Sequence, residues 1–196
     1  MPGFGCCLAK GRAPGRQVYH LFVKGQVINL EIRTKRLIIK PYQPIYLEDY
    51  YREFTEEITK YQYPDSFPDL ETANQVLSGF AREMEAGNML ELAILSQEGE
   101  FLGSAEVFGL REETPELGLW LKSAAQGSGY GYEALGAVLD YLNSLGRYRY
   151  YLYEADVRNA PSCRLAEKFR FEAGESQEIA TESGKKLTLR AYRIFG

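Results

Sequence analysis

Between Glu116 and Asp156 the chain reads as a strand-forming run, ELGLWL, a glycine-rich loop, a helical stretch from about Gly129 to Leu145, and a second strand-forming run, YRYYLYEAD, from Tyr148. A strand, a crossover helix and a second strand in that order make a βαβ unit, whose two strands lie parallel. The loop itself, Gln126-Gly127-Ser128-Gly129-Tyr130-Gly131-Tyr132-Glu133-Ala134, carries three glycines at alternate positions. They let the main chain turn tightly and present amide hydrogens without side-chain interference. Because those amides open a helix, the positive end of its dipole adds to them, and the combination suits a pyrophosphate.

The remaining segments fill in a mixed sheet with flanking helices. RLIIKPY from Arg36 reads as a strand ended by Pro41. From Tyr46 onward the spacing turns helical, with Leu47, Tyr50, Tyr51, Phe54, Ile58 and Tyr61 on one apolar face. A second helix is expected from an N-cap at Asp69 to a stop at Gly87, turning Ala73, Val76, Leu77, Phe80 and Met84 inward. Leu90 to Leu95 and Phe101 to Phe108 form a hairpin about Gly99, and Glu116 to Leu121 is a third strand. After the βαβ unit, a short helix follows Asn159, and strands lie near residues 172–180 and 186–195. The expected fold class is mixed α/β, with a central sheet of about six to seven strands.

Length and charge bound the function. At 196 residues, 45% of them hydrophobic, the chain suits one core. Residues 1–30 contain five Gly and two Pro and no sustained period, which reads as a poorly ordered extension ahead of a domain over residues 31–196. That extension carries Lys10, Arg12, Arg16 and Lys24 with no Asp or Glu, so it is +4 and the rest of the chain is -8. An acidic body argues against a nucleic-acid partner. Three cysteines, two of them adjacent, cannot build a disulfide framework, which points to a reducing compartment and a cytoplasmic location. No apolar run is long enough for a membrane span. His20 is the only histidine, which argues against histidine-dependent hydrolase triads and zinc sites, and no metal is expected.

Several loops of known chemistry compete for Gln126 to Ala134. A phosphate-binding P-loop needs Lys followed by Ser or Thr after its last glycine, where this chain has Tyr132 and Glu133. A dinucleotide fingerprint survives locally in the register Gly129, Gly131, Ala134, but that loop usually follows the first strand, and several strands precede it here. A plain structural turn is also open. The third pattern, Gln/Arg-x-x-Gly-x-Gly/Ala, is matched by Gln126, Gly129 and Gly131, and resembles the acetyl-coenzyme A loop of the GNAT acetyltransferase superfamily. Other segments agree in order. Thr34 to Pro41 looks like the T-x-R-L-x-L-R-P strand of the ribosomal-protein N-acetyltransferase (RimJ/RimL-like) branch, and Glu116 to Leu121 is similar to its E-I-G-Y-x-L strand. Asn159 to Ser162 followed by Ala166 to Phe171 looks like N-x-x-S followed by A-E-K-x-G-F, with Arg170 in place of the usual Gly.

The resemblance implies acetyl transfer from acetyl-coenzyme A, as co-substrate, to a primary amine by direct attack, the acceptor being a protein N-terminus or a small molecule. It implies that the backbone of Leu119, Trp120 and Leu121 holds the pantetheine arm and that Gln126, Gly127, Ser128, Gly129, Tyr130 and Gly131 hold the pyrophosphate. Asn159 would contact the cofactor arm besides capping its helix. For the chemistry, Glu116 is the candidate general base with Glu106 its rival, either of which also reads as a solvated carboxylate. Ser162 is the candidate to protonate or orient the leaving thiolate, with Tyr130 and Tyr132 as rivals. A non-catalytic acyl-coenzyme A sensor and a nicotinamide-dinucleotide enzyme are the alternative functions. The sequence leaves the oligomeric state open.

Overall fold

The computed structural model describes residues 30–196 in full and, ahead of them, the backbone of Gln17–Tyr19 (β1), Phe22–Val23 (β2) and Gln26–Val27 (β3). The loose extension expected over residues 1–30 falls largely outside the described residues, as do Cys6, Cys7 and His20. From residue 30 the order is β4 (Glu31–Arg33), β5 (Leu37–Pro41), α1 (Leu47–Glu53), α2 (Glu56–Thr59), α3 (Leu70–Glu85), β6 (Met89–Ser96), β7 (Phe101–Phe108) and β8 (Glu116–Leu121). Then come α4 (Tyr130–Ser144), β9 (Tyr151–Asp156), α5 (Ala160–Ala166), β10 (Arg170–Ala180) and β11 (Lys186–Phe195).

One nine-stranded sheet runs in the order β1-β4-β5-β6-β7-β8-β9-β11-β10. All its pairs are antiparallel except β8 with β9, where α4 makes the crossover. The count exceeds the expected six to seven because β1 and β4 are three residues each, too short to display an alternation in sequence.

The sheet separates two packed layers. Alternation along β5 and β6 sends Leu37, Ile39, Leu92 and Ile94 to the larger core and Ile38, Ala93 and Leu95 to the smaller. The larger core lies under α4, which turns Ala134, Leu135, Ala137, Val138, Tyr141 and Leu142 inward. On the other face α1 packs against β7 and α3 against β6, around Tyr50, Phe54, Leu77, Phe101 and Trp120. Tyr50 sits at the centre of this aromatic group, 4.8 Å from Trp120 between ring centroids.

The helical stretch from Tyr46 is two helices. Phe54 leaves helical geometry (φ -83°, ψ 64°), and the Thr55 side chain accepts a hydrogen bond from the Ile58 amide, capping α2. Asp69 caps α3 as expected, accepting from the Thr72 amide at 2.7 Å. Arg170 begins β10 in extended conformation, its guanidinium 5.4 Å from the Phe195 ring centroid, so no glycine geometry is needed there.

Candidate active site

The parallel strands β8 and β9 are paired at only two positions, Glu116 with Leu152 and Leu117 with Tyr153. Beyond Leu117 they part. β8 remains paired to β7 as far as Leu121 with Gly103, while β9 remains paired to β11 as far as Asp156 with Leu189. Two strands each tethered to its outer neighbour and released from one another leave main-chain donors and acceptors facing a slot from Gly118 to Leu121. An extended ligand can supply the missing partner there.

The end of that slot is the glycine loop. Gly127 (φ 75°) and Gly129 (φ 82°) both take the left-handed conformation, and Gly129 is the N-cap of α4, so the Tyr130, Gly131 and Tyr132 amides have no carbonyl within the helix. A Cβ at Gly127 would meet nothing within 4 Å. Gln126, exposed on the loop, donates from Nε2 to the Leu121 carbonyl at 2.9 Å and ties the loop to the end of β8.

The loop is braced from the turn between β4 and β5 by a contact that the sequence did not reveal. Arg36 donates from Nε to Glu133 Oε2 at 2.6 Å and from a terminal nitrogen to the Ser128 carbonyl at 2.8 Å, and its guanidinium lies 4.4 Å from the Tyr130 ring centroid. Thr34 Oγ1 and the Arg36 amide donate to Glu133 Oε1 at 2.5 and 3.0 Å. Burial pushes the Glu133 carboxyl up, but these hydrogen bonds outweigh it and hold it below the usual range. Arg36 thus neutralises the one carboxylate in the first turn of α4, leaving the amide cradle positive. The signal was Thr34-x-Arg36 at the head of a strand. Alongside, a cleft of about 700 Å³ is lined by Arg36, Gly129, Tyr132, Gly136 and Phe169.

Two carboxylates approach the slot on the face of α1 and α3. Glu116 stands opposite Leu152, where the strands are still paired, and burial and then Glu154 push its carboxyl up. Glu106 pairs with Gly118, the first β8 residue past the last β9 pairing, and a Cβ built on Gly118 would lie 2.5 Å from Glu106 Oε2. The Glu106 carboxyl therefore rests over the mouth of the slot, and burial raises it to about 7. Glu106 pairs on its other side with Glu91, a fully buried carboxyl (0% exposed) and the one charged residue of β6.

On the face of α4 and α5, Asn159 accepts from the Ser162 amide at 3.3 Å and so caps α5. Ser162 Oγ lies 2.8 Å from the Tyr153 hydroxyl, on the last β9 residue paired to β8. Burial holds Tyr153 up at about 12, so it stays protonated. Tyr132 points outward, its ring tilted against Phe169 at 5.0 Å between centroids, and Tyr130 lies under Arg36. Ser162 and Tyr153 are thereby brought together beside the slot, which sequence spacing did not reveal. Cys163 donates to the Asp156 carbonyl at 3.6 Å. Among the described residues, no group of three or more His, Cys, Asp or Glu is placed to hold a metal, and no helix is long and apolar enough to cross a membrane.

Solved structures share this arrangement of elements. An acetyltransferase from Salmonella typhimurium that modifies the N-terminal serine of a 50S ribosomal subunit protein is 16% identical over 83% of this chain and 97% of that chain, at a TM-score of 0.70. Spermidine N-acetyltransferase from Vibrio cholerae, in complex with CoA and spermine, is 13% identical over 81% and 95%, at 0.69. The microcin C7 self-immunity acetyltransferase, in complex with acetyl-CoA and AMP, is 16% identical over 83% and 94%, at 0.73. At these identities the likeness is one of fold. No curated protein matches by sequence. A family model described as an acetyltransferase (GNAT) domain matches residues 36–172, from the Arg36 brace through the slot and glycine loop to the start of β10, and by that match the chain belongs to the GNAT acetyltransferase family.

Proposed function

We propose that this enzyme moves an acetyl group from acetyl-coenzyme A to a primary amine by direct attack, in the cytoplasm where that thioester is supplied. The observation that carries the reading is the parting of β8 from β9 after two residue pairs, immediately before the glycine loop. In this reading the backbone of Leu119, Trp120 and Leu121 pairs with the pantetheine arm. The amides of Gly127 to Gly131 receive the pyrophosphate, Gln126 acts as the loop's brace, and the cleft beside Tyr132 takes the nucleotide end. Asn159 orders the first turn of α5 and so sets Ser162.

The chemistry divides between the two faces of the sheet. A neutral amine attacks the thioester carbon, the C–N bond forms and the C–S bond breaks, and an amide of β8 stabilises the developing oxyanion. Glu106 takes the proton from the nitrogen, with Glu116 as the more distant alternative where the strands remain closed. Ser162 protonates the departing thiolate as its own proton is replaced from the Tyr153 hydroxyl, and Tyr153 regains a proton from solvent when the thiol leaves. A carboxylate held at about 7 matches an α-amine, of pKa about 8, better than an aliphatic amine of about 10. That favours a protein or peptide N-terminus over a polyamine as the acceptor.

Thiol release from acetyl-coenzyme A is the test, measured with an N-terminal serine peptide, other α-amino peptides and spermine. The expected result is turnover with peptides exceeding that with spermine at pH 7. Tight coenzyme A binding without thiol release for any amine would instead make the protein a non-catalytic sensor.

A further inference from the structure

The smaller core contains an acid pair that packing alone does not require. Glu91 of β6 and Glu106 of β7 occupy directly opposed positions in the antiparallel ladder, on the face of the sheet covered by α1 and α3. Directly opposed residues have Cβ atoms about 5 Å apart, and like charges there are destabilising. Glu91 has no exposure at all, whereas Glu106 keeps some. Ser104, two residues before Glu106 and on the same face, donates its hydroxyl to Glu91 Oε1, while Glu91 Oε2 is buried with no protein partner. The titratable groups that feel the pair are Tyr42 after β5 and Tyr50 on α1, on the same face, and Tyr153 on β9, on the other face beside the slot; none of them is a cation. Ionising both carboxyls here would leave two unneutralised charges in a dry site, which is the least favourable of the possible states.

We propose that Glu91 and Glu106 form a coupled dyad holding one proton between them, with Glu91 the buried, proton-bearing positioning residue and Glu106 the ionised member that meets the acceptor amine at Gly118. The proposal rests on the reading of the site as an amine acetyltransferase and adds a second carboxyl to its base. During transfer the amine gives its proton to Glu106, forming an O–H bond there. Glu91 is already protonated, so the dyad passes from one negative charge to none and never carries two. Release of that proton to solvent after the amide leaves restores the starting state. Glu91 reaches neither substrate nor slot; it fills the space behind Glu106 with a neutral, hydrogen-bonded group and keeps water from it. The physical causes agree: burial raises Glu106 to about 7, and burial, followed by the charge on Glu106, pushes Glu91 well above the ordinary carboxyl range.

The dyad can be tested without knowing the acceptor, by carboxyl ¹³C NMR titration of the full chain labelled at glutamate Cδ. The probes are Glu91→Gln, Glu91→Ala and Glu106→Gln, which also assign the two signals. The expected result is one carboxyl with a midpoint near 7, lost in Glu106→Gln, and a second that holds its proton after the first has ionised, lost in Glu91→Gln. In Glu106→Gln the Glu91 midpoint should fall by about one pH unit or more, because the opposing charge is gone. In Glu91→Ala, which admits water, the Glu106 midpoint should fall by a similar amount, and in Glu91→Gln it should stay within about half a unit. Should Glu91→Ala not fold, the coupling seen in Glu106→Gln decides the matter. Two ordinary midpoints between about 4 and 5, or a Glu91 midpoint indifferent to Glu106→Gln, overturn the dyad. Those results would leave the acetyltransferase reading intact, whereas an intact dyad in a protein with no turnover counts against that reading and not against the coupling.

Discussion

The position of one oxygen, Glu106 Oε2 over Gly118, gives the site its sharpest consequences. If Glu106 accepts the amine proton, kcat/KM must carry an acid limb with a midpoint near 7 besides the limb set by the acceptor amine, of pKa about 8, so the loss steepens to about a hundredfold per pH unit below 7, and Glu106→Gln should lower the rate by about 10²–10³. Thiol release from acetyl-coenzyme A between pH 5.5 and 9 checks both, and a wild-type profile that follows the amine limb alone removes Glu106 from the mechanism. Folding carries the same signature with a definite sign. The Glu106 carboxyl is raised from 4.5 to about 7, so the stability linked to its protonated form is complete below 4.5 and lost as pH climbs past about 7. Glu106→Gln should therefore gain in melting temperature relative to the wild type as pH rises from 5 to 7.5, a trend that differential scanning calorimetry would register. Gly118→Ala is the complementary change. Its new methyl would collide with a flexible carboxyl end and not with backbone, so the protein should fold while Glu106 is displaced, costing at least about tenfold in kcat with coenzyme A affinity retained. Gly103→Ala is the contrasting control, because there the added carbon meets the Trp120 carbonyl at φ 155° and disturbs the β7–β8 ladder itself.

At the scale of elements, what holds β9 away from β8 is its attachment at the far end. Asp156, the last residue of β9 and fully buried, accepts from the Thr188 amide at 2.9 Å, from the Arg158 amide at 2.9 Å and from the Arg158 guanidinium at 2.6 and 2.8 Å. The strand end is thereby fixed to β11 and to the turn entering α5, so it cannot swing back to close the slot. The Arg158 hydrogen bonds hold Asp156 down at about 2, so this contribution is fully present above 3.8 and is lost as pH falls through about 2. Asp156→Ala should cost about 2–3 kcal/mol in urea unfolding at pH 7, with the difference from the wild type shrinking toward pH 2. A cost that is the same at pH 7 and pH 2 argues against the ion pair as the cause. Elements of this kind mark where the sequence was readable. The βαβ unit, the hairpin about Gly99, the Asp69 and Asn159 caps and the glycine loop were legible because each is written in a local period or a cap residue. The break at Phe54, the strands β1 and β4, the Arg36 brace and the Ser162–Tyr153 pair were not, because each depends on partners brought together by the fold. A single Glu in MLELAILS was visible, but only the register showed that it faces another.

Across the whole molecule the terminal hairpin reaches over to the segment that follows α2, at the edge of the smaller core. The turn between β10 and β11 carries Lys185, which donates to the Thr59 carbonyl at 2.9 Å and the Gln62 carbonyl at 3.1 Å and pairs with Asp65. Arg158, already committed to Asp156, also lies 5.3 Å from the Tyr61 ring centroid. The connection between α2 and α3 is thus held by residues from the βα turn after β9 and from the terminal hairpin, the same elements that keep the slot open. This connection belongs to the layer over Glu106, the side from which the proposed reaction takes its acceptor, while the glycine loop is braced independently by Arg36. The two halves of the site should therefore respond separately to injury. Lys185→Ala removes three contacts of a partly exposed side chain, costs about 1–2 kcal/mol, and leaves the β8–β9 slot and the loop untouched. Coenzyme A affinity by calorimetry should stay within about twofold, limited proteolysis should cut between residues 60 and 68 faster than in the wild type, and the KM for a peptide acceptor should rise about five- to tenfold. Equal weakening of coenzyme A and acceptor binding would mean that the hairpin supports the sheet as a whole and not the acceptor side alone.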